Sequence, residues 1–448
     1  MTRPPSPRPK STLSIFIGLW LGLTLIAGLG VFALFYWALG AGSPAPTAPP
    51  PTQAVPTLAQ RGQPTATAGP KAPAQPACNY PPAPASGFGY GIQSHIYPGE
   101  GDIDYWMDVI RNQIGFHWVK VQIRWADVEE NPGSIGWEAF LDNMMQQACA
   151  KGVRVMLSVV TAPAWTQANP LPAPEGQSAP PDNYQTFADF LGRLIDRYPG
   201  QIGAMEVWNE QNLEREWNTA GGVSPTEYIK LLQIAYATIK SQDPNIIVIA
   251  GALSPTGVNC NGAWPDCQPT GRPVVMDDAT YLTQFVQAGG LNYADCVGTH
   301  SNGTNLPPTA DALNPPGDGA GFNFKGPWEN KHYSWSLKSQ VEKYASILGG
   351  LKKQCVTEFG YASAIEGKYP PIYGFAADIT EEQQGQYLVA AMDWMRGSGL
   401  VQMAFIFNLD YGPKGGDPAE DDNVIFSIIS PWSIPRPAFS AISAMPKP

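Results

Sequence analysis

The sequence has 448 residues, with 27 basic and 38 acidic residues, a formal net charge of −11 and six cysteines. The first 85 positions contain no Asp or Glu and five basic residues, so the remainder holds 22 basic against 38 acidic residues, a net charge of −16. Such a surface repels phosphates, which argues against nucleic acid as a partner and suits a secreted enzyme acting on a neutral polymer.

Residues 13–39 form an uncharged, mostly apolar run of 27 residues. A helix of that length reaches roughly 40 Å, more than the roughly 30 Å hydrocarbon core of a bilayer. The apolar region of a signal peptide is shorter, about 7–15 residues. We therefore expect an uncleaved transmembrane anchor at 13–39 that places the protein in the cell membrane as a single-pass chain. The basic residues before it predict a cytoplasmic tail at 1–12 and an extracellular location for everything after residue 40. If the segment were cleaved, the protein would be secreted.

A proline-rich segment follows, with 13 prolines between residues 42 and 85. Proline removes backbone donors, and the intervening Ala, Thr, Gln and Gly offer little to bury. We expect residues 40–86 to form an extended linker, and residues 87–448 to form the folded domain.

The cysteines fit an oxidising compartment. Cys260 and Cys267 bracket a short polar loop and are the best candidates for a disulfide. Cys296 and Cys355 each begin a predicted strand, and are either bridged neighbours or buried thiols. The pairing of the two others is left open, Cys78 and Cys149. No metal site or other cofactor is predicted, because the four histidines are scattered and no cysteine pair has zinc spacing.

After residue 86, apolar runs typical of buried strands alternate with helical patterns. The predicted strands are Phe88–Ile96, Trp118–Trp125, Val153–Val160, Ala204–Trp208, Ile246–Ala250, Cys296–His300, Cys355–Phe359 and Val401–Asn408. The clearest helical patterns are Trp137–Lys151, Tyr184–Tyr198, Pro225–Gln242, Trp335–Lys353 and Glu381–Arg396. Eight strands with helical crossovers predict an α/β fold of the closed (β/α)₈ TIM barrel type.

Two glutamates lie at predicted strand ends, where such barrels carry their chemistry. Glu210 follows strand four in Trp208-Asn209-Glu210, and Glu358 ends strand seven in Thr357-Glu358-Phe359-Gly360. Glu206 shares the strand parity of Glu210 but sits deeper, so we expect it to pair with a buried donor. Two facing carboxyls are what hydrolysis of a glycosidic bond requires.

These motifs resemble the (β/α)₈ glycoside hydrolases of clan A. Residues 121–125 with Pro132-Gly133 are similar to the second strand and loop of families 5 and 39, and residues 161–165 to their third strand end. Arg436-Pro437-Ala438-Phe439 is similar to the start of their last helix. The resemblance covers roughly residues 87–445.

The resemblance implies a retaining mechanism on a β-linked glycan, with Glu210 as acid/base and Glu358 as nucleophile. An ionised Glu358 nearby makes Glu210 harder to ionise, so we expect Glu210 to stay protonated nearer neutrality.

The resemblance also implies supporting roles for residues near the two glutamates. Asn209 would bond the sugar 2-hydroxyl, Arg124 would orient Glu358, and His300 would lie near the nucleophile. Aromatic rings after strands would stack on sugar faces. The candidates for that role are Trp165 above all, then Tyr333, Trp335, Tyr411 and Trp432. Asn408 falls near the end of strand eight, where many clan members have a tryptophan, and completes the candidate substrate-binding residues.

Two other functions are compatible with the sequence. One is a non-catalytic, cell-surface carbohydrate-binding protein on a barrel scaffold, since fold does not determine function. The other is a transglycosylase, which passes the sugar to another glycan. We expect a monomer.

Overall fold

The protein is described by a computed structural model. It describes residues 78, 80–82, 84–97, 102–137, 141–168, 170–171, 178–257, 271–314 and 332–448. The predicted cytoplasmic tail, the predicted anchor at 13–39, most of the predicted linker and the cysteine pair Cys260 and Cys267 lie outside these residues.

Eight parallel strands form a closed barrel in chain order, which confirms the predicted (β/α)₈ architecture. The strands are β1 Gly89–Gln93, β2 Trp118–Arg124, β3 Arg154–Val160, β4 Ile202–Val207, β5 Ile247–Leu253, β6 Cys296–Gly303, β7 Gln354–Tyr361 and β8 Val401–Ile406. β1 closes the barrel against β8, with Gly91 opposite Phe405. A Cβ at Gly91 would lie 2.3 Å from the Phe405 ring, so only glycine permits this approach.

Helices cover the outside of the barrel. They are α1 Ile103–Asp108, α2 Trp125–Val128, α3 Leu141–Lys151, α4 Tyr184–Arg197, α5 Pro225–Gln242, α6 Asp278–Gln287, α7 Leu337–Leu348, α8 Glu381–Ser398, α9 Asp422–Phe426 and α10 Pro437–Ala444. Two of these helices have side-chain N-caps: the Ser224 hydroxyl accepts from the backbone of Glu227, and Thr380 with Gln383 forms a capping box. These side chains satisfy N–H groups that the first helical turn leaves free.

The barrel interior is layered. Its lower end is apolar and includes Trp118, Met156, Ile249 and Phe405. The next inward-facing residue of β2 after Trp118 is Lys120, which is fully buried. Because side chains alternate along a strand, this position places a charged layer directly above the apolar one.

No helix among the described residues is long and apolar enough to cross a membrane. The predicted anchor is not among those residues and stays a prediction. The end of the predicted linker does contact the barrel. The Tyr80 hydroxyl donates to the carbonyl of Gln201 at 2.6 Å, and the Arg154 guanidinium lies 4.8 Å from the Tyr80 ring centroid.

Among the described residues, two disulfides link the four cysteines present. Cys78 pairs with Cys149 on α3, and Cys296 pairs with Cys355 at the lower end of the barrel. The first crosslink ties the linker end to the folded domain. The second decides between the two alternatives left open for Cys296 and Cys355.

We expect the first crosslink to contribute measurably to stability. It closes 71 residues of chain. If the effect is the lost entropy of the unfolded chain, closing a loop of that size stabilises the folded state by about 4 kcal/mol. The double variant Cys78→Ser/Cys149→Ser should therefore unfold at a clearly lower guanidinium concentration than the wild type. Equal midpoints would show that the crosslink contributes nothing.

Candidate active site

The two predicted glutamates reach the same end of the barrel by different routes. Glu358 lies within β7, whereas Glu210 lies three residues beyond the end of β4. Trp208 and Glu210 both have positive φ, 73° and 43°, a conformation that non-glycine residues rarely adopt. Such backbone strain typically costs on the order of 1–3 kcal/mol per residue and persists where the surrounding structure requires it. Here the turn aims Glu210 back over the barrel mouth.

His300 brings the two carboxyls together. Its Nδ1 lies 2.9 Å from Glu210 Oε1 and 3.7 Å from Glu358 Oε2. His300 is buried and pairs with Glu358 in the register of β6 and β7. Both glutamate side chains are also largely buried. The structure therefore places His300 beside both carboxyls, whereas the resemblance implied a position near Glu358.

Lys120 contacts Glu358 from below. Its Nζ donates to Glu358 Oε1 at 2.6 Å and lies 3.4 Å from Glu206 Oε2. Glu206 also accepts from the Thr357 hydroxyl at 2.7 Å. This confirms the expectation that Glu206 pairs with a buried donor. The lysine bridges two carboxylates, of which Glu206 is fully buried and Glu358 is 10% exposed.

The predicted protonation of Glu210 is wrong for the ligand-free site. Burial alone would raise its pKa, but Arg215 and His300 outweigh burial and hold the pKa of Glu210 well below its usual range. Arg215 donates to Glu210 Oε2 at 2.5 Å. The sequence argument counted the repulsion from Glu358 and missed this guanidinium, which lies five residues farther along the chain.

The pKa of His300 is shifted in the opposite direction to that of Glu210. Burial opposes its protonation, yet Glu358 and Glu210 together raise the pKa of His300. The ionised form of Glu210 is therefore favoured by Arg215 at one oxygen and by His300 at the other in the ligand-free site.

Glu210 and Glu358 line a cleft of about 600 Å³. Its lining combines charged groups, amides and aromatic rings, which is the usual make-up of a small-molecule or sugar site. The charged and amide groups that line it are Gln93, Gln122, Arg124, Asn209, Glu210, Arg215, Glu216, Asn302, Glu358, Asp422 and Asn423. The aromatic residues are His95, Tyr97, Trp335, Tyr373, Phe375, Phe407, Tyr411 and Phe426.

Two of the predicted substrate-binding residues line this cleft, Asn209 and Arg124. The buried Oδ1 of Asn209 has no hydrogen-bond partner among the residues that the structure describes. Arg124 also lines the cleft, but its Nε lies 3.8 Å from Asp127 and its side chain is about half exposed. Lys120 makes the contact to Glu358 that was predicted for Arg124. Lys120 and Arg124 both lie on the inward face of β2. Lys120 is the inward residue before Gln122 along this strand, and Arg124 is the one after it.

Three other candidates are absent from the lining and have other contacts. Trp165 donates its indole N–H to the carbonyl of Glu129, at 3.1 Å. The amide of Asn408 is fully buried, donating to the carbonyl of Asn423 and accepting from the Tyr411 N–H. Tyr333 packs against His332, with ring centroids 3.9 Å apart. Sugar stacking by Trp165 and substrate binding by Asn408 and Tyr333 stay predictions, and none of the three residues lines this cleft. Trp335 and Tyr411 do line the cleft.

Sequence reasoning missed Lys120, Arg215 and Glu216. Lys120 left one signal, a charge in the middle of the predicted strand Trp118–Trp125, which was expected to be buried on both faces and carries its other charge, Arg124, near its end. Arg215 and Glu216 lie in the loop after β4, where charged residues are common and no periodicity marks them.

One group in the described part of the chain has potential metal ligands close together. One ligand atom each of Asp277, Asp278 and His332 lies within 4.8 Å of the others. Asp277 already caps α6 by accepting from Thr280, and Asp278 accepts from the Tyr344 hydroxyl at 2.7 Å. We assign no metal to it.

Comparisons with known proteins gave matches to solved structures alone. No protein-family model matches the sequence. No curated protein matches it significantly either. Many solved structures are similar in fold.

Three of the similar structures are glycoside hydrolases by name. One is a family 39 glycoside hydrolase from the gut symbiont Bacteroides cellulosilyticus WH2, with 17% identity, a TM-score of 0.55, and coverage of 82% of this chain and 65% of that one. A second is the GH39 enzyme from Xanthomonas axonopodis pv. citri, with 18% identity, a TM-score of 0.52, and coverage of 81% and 67%. A third is xylanase 10B from Thermotoga maritima, with 13% identity, a TM-score of 0.50, and coverage of 80% and 95%.

The chain thus spans about two thirds of the length of both family 39 structures. Identities this low show a common fold and leave activity open. By its fold, this chain resembles the glycoside hydrolases of family 39.

Proposed function

We propose that the protein is a retaining glycoside hydrolase that cleaves a β-linked glycan. One observation carries this proposal: Glu210 and Glu358 face the same nitrogen of His300 at the mouth of the barrel. Glu210 Oε1 lies 2.9 Å and Glu358 Oε2 lies 3.7 Å from this nitrogen, so the distance between the two oxygens cannot exceed the sum of these values. Carboxyls are about 5–5.5 Å apart in retaining enzymes and roughly 6.5–9.5 Å apart in most inverting ones, so this limit favours retention.

The environments of the two glutamates support different roles. Glu358 is held by Lys120 from the barrel side and has its other oxygen toward the cleft, which suits attack on the anomeric carbon. Glu210 would protonate the leaving oxygen, and would then deprotonate the water that releases the glycosyl-enzyme. The buried carbonyl oxygen of Asn209, without a partner in the described part of the chain, would accept from a sugar hydroxyl.

The location is part of the proposal. We propose that the domain acts outside the cell, held at the membrane by residues 13–39, or is secreted if that segment is removed. Two disulfides in the domain support an oxidising compartment.

A panel of aryl β-glycosides and β-linked oligosaccharides tests the activity. With an active substrate, proton NMR should show the β-anomer as the first product, because two inversions restore the configuration. A first product of α configuration would contradict the retaining mechanism. Acceptor sugars added to the same reaction separate hydrolysis from transglycosylation. Binding without turnover of any substrate would favour the carbohydrate-binding alternative.

Replacing Glu210 by alanine should slow cleavage of phenyl glycosides on the order of 10²–10⁴-fold, the usual contribution of general acid catalysis. Dinitrophenyl glycosides leave without protonation, so their glycosylation step should be nearly unaffected. Added azide should restore turnover and yield a β-glycosyl azide, since it attacks without a general base. Equal losses on both leaving groups would remove Glu210 from the acid role.

A further inference from the structure

Arg215 lies between two carboxyl groups at the edge of the cleft. Its guanidinium is 2.5 Å from Glu210 Oε2, and its Nε is 3.8 Å from Glu216 Oε1. The Arg215 side chain is 61% exposed, whereas that of Glu216 is 16% exposed and that of Glu210 8%. One exposed cation thus faces two largely buried carboxyls and contacts one of them closely.

The loop that carries these groups is fixed through its backbone. The Trp208 indole donates to the carbonyl of Glu216 at 2.7 Å. Earlier in the same loop, Leu213 forms an antiparallel backbone bridge with Val275. Transfer of the Arg215 guanidinium from one carboxyl to the other therefore needs only a change of its side-chain rotamer, and exposed side chains make such changes within nanoseconds.

In the ligand-free site, Glu210 is poorly prepared to donate a proton. One oxygen accepts from Arg215 and the other lies beside His300. A guanidinium only donates, so an oxygen bound to it favours the ionised carboxyl. For Glu210 to act as an acid, Arg215 has to leave it.

Glu216 is the carboxyl that takes up a proton more readily in this state. Burial and the charges of Glu210 and Glu358 outweigh the attraction of Arg215 and His300 and raise the pKa of Glu216 to about 7. Glu216 lines the same cleft as Glu210. A neutral acid near the reaction centre is thus present, but on the neighbouring carboxyl.

We propose that Arg215 is a positioning residue that moves from Glu210 to Glu216 when the leaving group of a glycoside enters the cleft, so that Glu216 loses a proton and Glu210 gains one. This inference rests on the acid/base role proposed for Glu210. Before the exchange, Arg215 and Glu210 are charged and Glu216 is neutral. After it, Arg215 and Glu216 are charged and Glu210 is neutral. The proton passes through water in the cleft, and the net charge of the three groups does not change.

The variant Glu216→Gln tests the exchange, because glutamine keeps the size of the side chain but cannot supply the proton or pair with the cation. We expect kcat/KM on phenyl β-D-xyloside or β-D-glucoside to fall roughly tenfold or more, as for partial loss of general acid catalysis. Turnover of the matching dinitrophenyl glycoside should stay near the wild-type value. Glu214→Gln is the matched control, since Glu214 lies in the same loop, outside the cleft lining, and pairs with Arg272.

The pH profile supplies a readout that a merely structural role would not move. The pH dependence of kcat/KM reports groups of the free enzyme, so the alkaline limb of the wild type on the phenyl glycoside should fall near pH 7, the pKa of Glu216. In Glu216→Gln that limb should move to lower pH, because Glu210 keeps Arg215 and its low pKa. An unchanged limb and an unchanged ratio between the two leaving groups would overturn the proposal.

A structure provides a second test that does not depend on the Glu216 variant. In a crystal of Glu358→Gln soaked with the phenyl glycoside, we expect the Arg215 guanidinium within hydrogen-bond distance of Glu216 and away from Glu210. Arg215 still bound to Glu210 beside the bound phenyl ring would contradict the exchange. A wild type inactive on every glycoside would instead refute the proposed function, so the two failures are distinguishable.

Discussion

Replacing Glu358 by alanine should lower kcat on every substrate on the order of 10⁴-fold or more, the size seen when a covalent nucleophile is removed. The loss should not depend on the leaving group, since a better leaving group cannot substitute for the missing carboxylate. Azide should restore some turnover and yield the α-glycosyl azide, with one inversion in place of two. Turnover of the wild type and the variant on the same aryl glycosides measures this effect.

A fluorinated glycoside provides the direct check on the wild type. A dinitrophenyl glycoside with fluorine at the second carbon should leave one sugar on the protein, and peptide mass spectrometry should find it on Glu358. The variant Glu366→Ala, at a glutamate whose backbone lies in the bridged turn Ile365–Lys368, is a control that should label normally. A label on a residue other than Glu358 would refute its assignment as nucleophile.

Lys120→Met should destabilise the protein by roughly 3–5 kcal/mol, the usual effect of removing one partner from a buried ion pair. Lys120 is fully buried and is the cation that contacts both Glu206 and Glu358. Activity should also fall strongly, because Glu358 loses the donor that orients it. The matched control is Lys230→Met. Lys230 makes an equally short contact of 2.6 Å to Glu227, but on the surface. That exposed pair should be worth only about 0.2–1 kcal/mol.

The pH dependence of the Lys120→Met effect has a definite sign. Burial alone would raise the pKa of Glu206, but Lys120 and His300 lower it below its ordinary value. In the wild type this stabilisation is present above the pKa of an unfolded glutamate and is lost as the pH falls. Without Lys120, a carboxyl buried in the folded variant has to be protonated. The stability of the folded variant is therefore lost as the pH rises. The difference in unfolding free energy between wild type and variant should therefore shrink from about pH 7 to about pH 4. A constant difference would show that Lys120 does not neutralise these carboxyls.

Lys120 and Arg124 show where prediction of the site from sequence stops. Both lie on the inward face of β2. The alternation of side chains along a strand does not predict which of them contacts a residue on β7. The stagger of the strands around the closed barrel sets that height. Lys120 falls level with Glu358, whereas Arg124 falls at the exposed end of its strand, near Asp127.

The loops give the same lesson. Trp165 follows a predicted strand and Asn408 ends one, which makes both candidates for the cleft, but their loops place them beside Glu129 and Asn423. Arg215 was not assigned at all, and the turns after Glu210 bring it back onto that glutamate. Loop paths depend on packing against neighbouring elements, which leaves no periodic signal in the chain.

The sequence by itself determined the eight-strand barrel and the placement of two glutamates and a histidine at its mouth. It could do so because alternation of buried strands with helices, and polar residues ending apolar runs, are local patterns. The tertiary structure alone decided that a buried lysine neutralises Glu206 and Glu358, that Arg215 holds Glu210 ionised, and which cysteines pair. Those outcomes are set by distances between residues remote along the chain, and the charge state of a carboxyl depends on whatever cation the closed barrel places beside it.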